Sequence, residues 1–278
     1  MAAGSFKLIV GCFLLFFNKL NLKETVIRRS RLTLDMFKTR SYKLERIDTG
    51  DYTAREYDLF LHDIRLVNRY AGDNQALKKS LLKEIERENL ESFSVLDIGA
   101  GSGELLRTTA EYARKRNRRA QLFGLELNAR SAKAIVEESK NYAEIKPVRA
   151  DALRLPFADA SFDYAICSLF THHFTDENVI KILKEMSRVA RRKIYVIDLH
   201  RHAAAYIFYK IFCAAFRISP LVRQDGSLSI LRSFKPEELE KLGCQAELKN
   251  VSVKRCFPFR LVLEGNKISH EQTRKNTK

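Results

Sequence analysis

The nine residues Val95–Gly103 (VLDIGAGSG) constrain the fold more than any other part of the chain. An apolar run typical of a buried strand, 93–98, ends in a glycine-rich turn, and a helical pattern follows at 105–116. Glycine lacks a Cβ, so such a turn lets a bound cofactor approach the main chain closely. The segment therefore predicts a strand–turn–helix unit that binds a cofactor through Gly99, Ala100, Gly101 and Gly103.

The chain beyond this turn alternates between strand-like and helix-like segments. Strand patterns recur at 120–126, 145–150, 162–168 and 193–199, and helical periodicity recurs at 129–140 and 176–190. Two more helical segments, 53–70 and 75–88, precede the turn. This alternation predicts a parallel sheet with helices on both faces. Two further strands, 245–255 and 259–264, are joined so tightly that they must be antiparallel. The predicted fold class is α/β: a Rossmann-like doubly wound sheet, mostly parallel with an antiparallel C-terminal strand pair, plus N-terminal helices.

Acidic residues end the first three strands of this predicted sheet. They are Asp97, Glu126 and Asp151. Glu126 is placed to accept hydrogen bonds from both ribose hydroxyls of a nucleoside, and Asp151 is placed to accept one from an adenine amino group. Acids at strand ends also cap the helices that follow, but three in succession favour a nucleoside site. The Gly-x-Gly-x-Gly spacing differs from the Gly-x-Gly-x-x-Gly of dinucleotide-binding turns, so NAD is not the predicted cofactor.

Residues 92–200 resemble the class I S-adenosylmethionine-dependent methyltransferases. The resemblance lies in VLDIGAGSG, in Glu126 within LFGLELN, in Asp151 within RADALRLPF, and in Ser161-Phe-Asp163 before the fourth strand. The sequence LFTHHF at 169–174 is similar to the ubiquinone and menaquinone C-methyltransferases, a small-molecule branch. The resemblance implies that S-adenosyl-L-methionine is the cofactor. It also implies cofactor contacts from Asp97, Gly99, Gly101, Glu126, Leu127, Asp151 and Ala152, with Ser168 near the sulfonium.

Flanking segments resemble uncharacterised bacterial methyltransferases. They are Glu45-Arg-Ile-Asp48, Val67-Asn-Arg69, Asp198-Leu-His-Arg201 and Arg223–Arg232. The chain departs from that pattern at Gln224, where the resemblance leads us to expect a histidine. If that histidine is the base of those enzymes, this chain has no counterpart of the base at position 224.

Methyl transfer needs a base only when the acceptor must lose a proton. His172 and His173 follow the fourth strand, at the sheet edge where ligands bind, and imidazole titrates near neutral pH. Both are therefore candidate catalytic residues, although one of them could instead pack under the loop and cap the helix that begins near Asp176. His200 and His202 have no evident third ligand, so no metal is predicted.

The segment 203–218 is apolar on nearly every side and contains five aromatic residues. Such a helix either packs on the sheet or forms the wall of a lipophilic acceptor pocket. We therefore consider Tyr206 a candidate substrate contact. Three charged residues that flank the segment either orient a polar acceptor group or form a buried ion pair; they are Arg201, Asp225 and Arg232.

The formal charge of +16 raises the question of a nucleic-acid partner. More than half of this excess lies in residues 1–50 and 266–278. The chain has no Asn/Asp-Pro-Pro-Tyr motif of base methylation, and its aromatics cluster in one apolar segment. A small, lipophilic or aromatic acceptor is therefore predicted. The alternatives are an RNA methyltransferase and a non-catalytic S-adenosylmethionine-binding protein, and the oligomeric state is left open.

The chain is divided into four predicted parts. Residues 1–35 are an extension outside the fold, 36–90 a helical region, 91–265 the methyltransferase domain with a helical lid at 201–234, and 266–278 a basic tail. The apolar run Leu8–Phe17 is shorter than the roughly 17–25 residues that span a bilayer. Residues 1–35 either precede a true start at Met36, anchor the chain at a membrane surface, or act as an export signal. Five cysteines without a CxxC pair favour the cytoplasm, with membrane association as the alternative.

Overall fold

The computed structural model describes residues 35–266. The apolar run Leu8–Phe17 and the basic tail beyond 266 lie outside the described residues, so the predictions made for them stay predictions. The chain divides into two units, Met1–Thr39 and Arg40–Lys278. In the first unit, Lys38 pairs with Asp35 at 2.6 Å. Every element below belongs to the second unit.

Seven strands form one sheet in the order β3-β2-β1-β4-β5-β7-β6. The strands are β1 (Ser92–Ile98), β2 (Arg119–Glu126), β3 (Ile145–Arg149), β4 (Phe162–Ser168), β5 (Ala190–Leu199), β6 (Lys249–Cys256) and β7 (Arg260–Asn266). The first five pair in parallel, and β7 runs antiparallel to both of its neighbours, β5 and β6. The predicted fold class is confirmed.

Helices cover both faces of this sheet. They are α1 (Arg46–Thr49), α2 (Ala54–Ala71), α3 (Asp73–Leu77), α4 (Lys83–Arg87), α5 (Glu104–Lys115), α6 (Ala129–Glu138), α7 (Asp176–Val189), α8 (Ala203–Ala215), α9 (Pro220–Arg232) and α10 (Pro236–Gln245). A π-helical segment, Lys78–Leu82, joins α3 to α4, and a 3-10 turn covers Thr171–His173. None of the helices within residues 35–266 is long and apolar enough to cross a membrane.

Successive strand residues contribute to two separate cores, one on each side of the sheet. Leu96 and Ile98 of β1 pack with the inner face of α7, whereas Val95 packs with α4 and α5. This alternation follows from strand geometry, because neighbouring side chains point to opposite faces. A sheet covered on both sides explains why the central strands are apolar throughout.

The helical insertion differs from the prediction in one respect. The predicted helix 203–218 corresponds to α8, which ends earlier, at Ala215. Arg217, whose φ is +50°, separates it from a second helix, α9, which carries Pro220 in its first turn. Proline suits that position because the first-turn N–H groups lack intrahelical partners. The predicted strand 245–255 begins only at Lys249, because α10 extends to Gln245.

Candidate active site

A cavity of about 540 Å³ lies at the carboxyl ends of the parallel strands. Asp97, Glu126 and Ser168, each at or near the end of its strand, line one part of it. Residues of α2, α8 and α9 line the opposite part. The volume falls within the roughly 300–1,000 Å³ that is typical of small-molecule sites. The cavity therefore has a sheet-edge half and a helical half.

The glycine turn forms the sheet-edge half. Its N–H groups turn back to β2: Gly99 donates to the Leu125 carbonyl at 2.9 Å, and Gly101 donates to Glu126 Oε1 at 2.7 Å. Gly99 has a φ of +68°, and a Cβ there would lie 2.3 Å from the Phe170 ring. Both the left-handed backbone and the close aromatic ring therefore require glycine at position 99.

Two acids beside this turn are held in a weakly polar environment. Asp97 is 2% exposed, and its Oδ1 has no hydrogen-bond partner among the described residues. Burial, together with the nearby charge of Glu126, raises the pKa of Asp97 well above its usual range. Burial also raises the pKa of Glu126, although the N–H groups of Gly101, Asn128 and Leu127 oppose that shift. A ligand that donates hydrogen bonds would satisfy both carboxyl groups.

Four of the predicted cofactor residues do not line the cavity. Asp151 is exposed and its Oδ1 accepts the Leu153 N–H at 2.9 Å, while Ala152 is buried beneath it. Leu127 is 64% exposed, and Gly103 is the N-cap residue of α5. Asp151 nevertheless lies close to the end of β2 in the chain trace. The residue before it, Ala150, donates its backbone N–H to the Glu126 carbonyl at 3.2 Å. Their contacts with a cofactor stay predictions.

His172 lies in the cavity wall and is held by a buried carboxylate. Its Nδ1 is 2.7 Å from Asp198 Oδ1, while its backbone N–H and the Thr171 hydroxyl donate to Asp198 Oδ2. Burial opposes ionisation of Asp198, but His172 and Thr171 outweigh it and lower the pKa of this carboxyl. An ionised Asp198 keeps the proton of His172 on Nδ1, which leaves Nε2 as the acceptor atom.

A second pair of acids comes from the segment before α2. Glu45 is 3% exposed, accepts the Ser229 hydroxyl at 2.9 Å, and lies 4.0 Å from His172 Nε2. Burial raises the pKa of Glu45 to about 7, although His173, Arg232 and the Ser229 hydroxyl oppose the shift. Asp48 lies 2.9 Å from His173 Nδ1. Burial of Asp48 is outweighed by His173 and Arg232, so its pKa is lowered.

Arg232 and Asp225 connect these segments. Arg232 donates to the carbonyl groups of His172 and His173 at 3.1 and 2.6 Å, and to Asp48 at 2.7 Å. Asp225 accepts the backbone N–H groups of Arg46 and Ile47 at 3.1 and 3.0 Å. We call the 3-10 turn Thr171–His173 the histidine turn. It is thus surrounded by three motifs that are far apart in the sequence, at 45–48, 198–201 and 223–232. Arg232 is buried outside the cavity lining, whereas Asp225 lines the cavity.

The structure does not bring Arg201 or Tyr206 to the cavity. Arg201 is 1% exposed and donates to the Ser233 carbonyl and to the carboxylate of Glu238. Tyr206 does not line the cavity, whereas Ala205, about 100° away around the helix, does. The cavity-lining residues of α8 are Ala205, Phe208, Tyr209 and Phe212. Gln224 is exposed on α9.

Glu45, His172 and His173 each offer one ligand-type atom, and these atoms lie within 4.8 Å of one another. Arg232 Nε lies 3.8 Å from Glu45 Oε1 and competes with any cation for that carboxylate. The prediction that no metal is used stays a prediction. Glu45 and Asp48 were not predicted as site residues, because only their resemblance to other methyltransferases marked them.

Comparison with known proteins identifies the class. The family described as a methyltransferase domain matches residues 95–193. The ubiquinone/menaquinone biosynthesis C-methyltransferase of Rickettsia massiliae is 30% identical over 178 residues, which cover 62% of this chain and 67% of that protein. The corresponding protein of Rickettsia felis is 31% identical over 137 residues, covering 47% and 54%.

Solved structures agree with this assignment at the level of the fold. Magnesium protoporphyrin IX methyltransferase from Synechocystis, with bound S-adenosylhomocysteine, has a TM-score of 0.56 at 15% identity and covers 81% of this chain and all of that chain. The same protein with bound S-adenosylmethionine has a TM-score of 0.54 at 14% identity, covering 83% and 100%. The chain belongs to the class I S-adenosylmethionine-dependent methyltransferases. It is an enzyme of the small-molecule branch, and its cofactor is S-adenosyl-L-methionine, as predicted.

The residues of the sheet-edge half fit this cofactor. Asp97 Oδ1 and Ser168 Oγ are buried, without a hydrogen-bond partner among the described residues, and both residues line the cavity. S-adenosylmethionine carries ribose hydroxyls and an ammonium group that can donate to such acceptors. Gly99 and Gly101 both have positive φ and carry no Cβ, so the cofactor can approach the main chain of the glycine turn closely.

Proposed function

We propose that this enzyme methylates a small lipophilic or aromatic acceptor that loses a proton from the attacking atom. The observation that carries the proposal is the pairing of an apolar cavity wall with the buried His172–Asp198 pair. The aromatic part of the wall consists of Tyr57, Phe60, Tyr70, Phe170, Phe174, Phe208, Tyr209, Phe212 and Phe259. Such a wall favours an acceptor that buries apolar surface, and the similarity to ubiquinone/menaquinone C-methyltransferases agrees with it.

His172 is the proposed base. S-adenosylmethionine, when bound, supplies a methyl group on a sulfonium sulfur, which leaves as a neutral thioether. Nε2 of His172 takes the proton from a phenol- or enol-type acceptor as that acceptor attacks the methyl carbon. Asp198, which is buried and ionised, holds the tautomer with the proton on Nδ1 and stabilises the imidazolium that forms.

His173 has a different proposed role. Its ring lies 4.3 Å from the ring of His172, its Nδ1 faces Asp48, and it also lines the cavity. We assign it to contact with the acceptor, beside the base. Asp225, which lines the same half, is engaged by two backbone N–H groups and so positions the segment at 45–48.

Substitution of His172 tests the proposal. His172→Ala should lower kcat for phenolic and quinol acceptors by roughly 10²- to 10⁴-fold, the usual contribution of a positioned base, while S-adenosylmethionine affinity by calorimetry stays within about two-fold. His202→Ala is the matched control, because His202 is an exposed residue outside the cavity lining that caps α8. Undiminished kcat in the His172→Ala variant would refute the assignment of the base.

The same assay is run with bulk RNA at low and moderate salt. An apolar pocket releases few counterions, so transfer to a small acceptor should vary little with salt. Binding that neutralises several phosphates would instead weaken steeply as salt rises. Steeply salt-dependent labelling of RNA, with no small acceptor methylated, would overturn the proposed acceptor class.

A cytoplasmic site of action is part of the proposal. Among residues 35–266, four cysteines have free thiols: Cys167, Cys213, Cys244 and Cys256. Free thiols persist in a reducing compartment, which supports this location.

A further inference from the structure

Helix α8 buries one side and exposes an apolar opposite side. Ala205 and Cys213 on the inner side are 4% and 1% exposed. On the outer side Ile207, Phe208 and Ile211 are 44%, 41% and 39% exposed. An ordinary surface helix also buries an apolar side, but it has polar residues on the side that faces solvent. The outward side of α8 is therefore an apolar surface that needs an explanation.

The apolar surface continues beyond α8 onto two neighbouring elements. Tyr70, at the end of α2, lies 6.0 Å from Phe216 and 6.1 Å from Phe212, measured between ring centroids. Phe208 lies 6.2 Å from Phe259, which is two residues along the chain from the 68% exposed Phe257. We call this surface the aromatic face, and its exposed members are Tyr70, Ile207, Phe208, Ile211, Phe216 and Phe257. These are six of the twelve large hydrophobic residues that are exposed among residues 35–266, so the exposure is concentrated in one place.

Part of the aromatic face lies where the cavity meets solvent. Tyr70 and Phe208 are exposed, and both also line the cavity. Phe212 and Phe259, their ring neighbours, line it too. A residue that is both exposed and part of the lining lies at an opening, so an acceptor entering the helical half passes between these rings.

Basic side chains accompany the aromatic face. Lys210, Arg217 and Arg223 are exposed on and after α8, whereas Asp225, the sole acid within residues 201–235, is buried. An apolar helix whose own segment, 201–235, exposes only positive charges complements an anionic lipid surface. A two-fold contact between copies of the chain would instead bring these like charges together along the same face. The charge pattern therefore favours a bilayer over a second copy.

We propose that the aromatic face docks on an anionic bilayer, with α8 lying in the interface and the cavity opening toward the lipid. Ile207 and Ile211 enter the apolar layer, and Lys210, Arg217 and Arg223 contact the headgroups. The route of the acceptor from the lipid rests on the proposed function. The docking itself does not, because it is measured without turnover.

The test measures binding of the full chain to two kinds of vesicle, phosphatidylcholine alone and phosphatidylcholine mixed with phosphatidylglycerol. The wild-type chain should sediment with the anionic vesicles and bind the neutral ones more weakly. In the Ile207→Ser/Ile211→Ser variant, binding to anionic vesicles should weaken by at least about ten-fold, because two exposed apolar side chains no longer insert. S-adenosylmethionine affinity should be unchanged, since neither residue lines the cavity.

Val136→Ser is the matched control, because Val136 is 54% exposed on α6, outside the aromatic face. It should bind vesicles as the wild-type chain does. Unchanged binding of the Ile207→Ser/Ile211→Ser variant overturns the proposal and assigns any binding to another segment, such as the run Leu8–Phe17. Failure of the wild-type chain to bind anionic vesicles also overturns it. So does sedimentation velocity showing that the variant only converts a dimer into a monomer.

Discussion

Replacement of Glu45 by glutamine tests the electrostatics of the buried network. Burial raises the pKa of Glu45 to about 7 in the folded protein, from an ordinary value of 4.5. A raised folded-state pKa contributes stability below pH 4.5, and that contribution is lost as the pH rises through 7. Each pKa unit is worth about 1.4 kcal/mol. Between about pH 5 and pH 8, this carboxyl should therefore lower the free energy of unfolding by about 2–3 kcal/mol.

Glu45→Gln removes the titration while keeping an oxygen that can accept the Ser229 hydroxyl. Relative to the wild-type protein, the variant should gain about 2–3 kcal/mol in stability when the pH rises from about 5 to about 8. Urea unfolding of both proteins at both pH values measures this change. Glu137→Gln, on the exposed side of α6, is the control for loss of a surface carboxylate. If the stability difference between Glu45→Gln and wild type is the same at both pH values, Glu45 does not titrate as the structure implies.

Two further predictions concern the cofactor half. Glu126→Gln should weaken S-adenosylmethionine binding by roughly 10- to 100-fold in calorimetry, because hydrogen bonds to a charged group are worth about 1.5–3 kcal/mol; an unchanged Kd would contradict the predicted ribose contact. Gly99→Ala should destabilise the protein more than Gly50→Ala in thermal unfolding. Both positions have positive φ, but a Cβ at Gly99 meets the Phe170 ring at 2.3 Å, whereas a Cβ at Gly50 meets nothing within 4 Å. Equal losses at the two positions would show that the ring moves aside.

The sheet was predictable because its signals are local. Each central strand is a short apolar run, and the turn after Ile98 carries its glycines in the sequence itself. The insertion was less predictable, since apolar residues continue through the break at Arg217 and no neighbouring glycine marks its φ of +50°. The chain changes direction there because α9 packs against α2 and the histidine turn. These contacts join segments that are distant in the sequence, so hydrophobic periodicity does not predict them.

The candidate active site likewise contains residues that the sequence predicts and residues that only three-dimensional packing brings there. Asp97, Glu126, Ser168 and His172 could be grouped in advance, because the carboxyl ends of parallel strands meet at one edge. Glu45 could not, since it is brought to His172 by contacts with α9, in which Asp225 binds the backbone at Arg46 and Ile47. Arg232 was recognised as a charged residue near the site, but its partners, two backbone carbonyls and Asp48, depend on three-dimensional packing.

The place of β7 in the sheet has a consequence for biosynthesis. This strand, Arg260–Asn266, is the last of the seven to be made, yet it lies between β5 and β6. A nascent chain that has exposed everything through β6 still has an open edge at β5, and β6 has no neighbour to pair with. Unpaired strand edges template aggregation, and domains with such edges are vulnerable during synthesis. Chaperone dependence of this enzyme should therefore be greatest for chains truncated between Cys256 and Asn266.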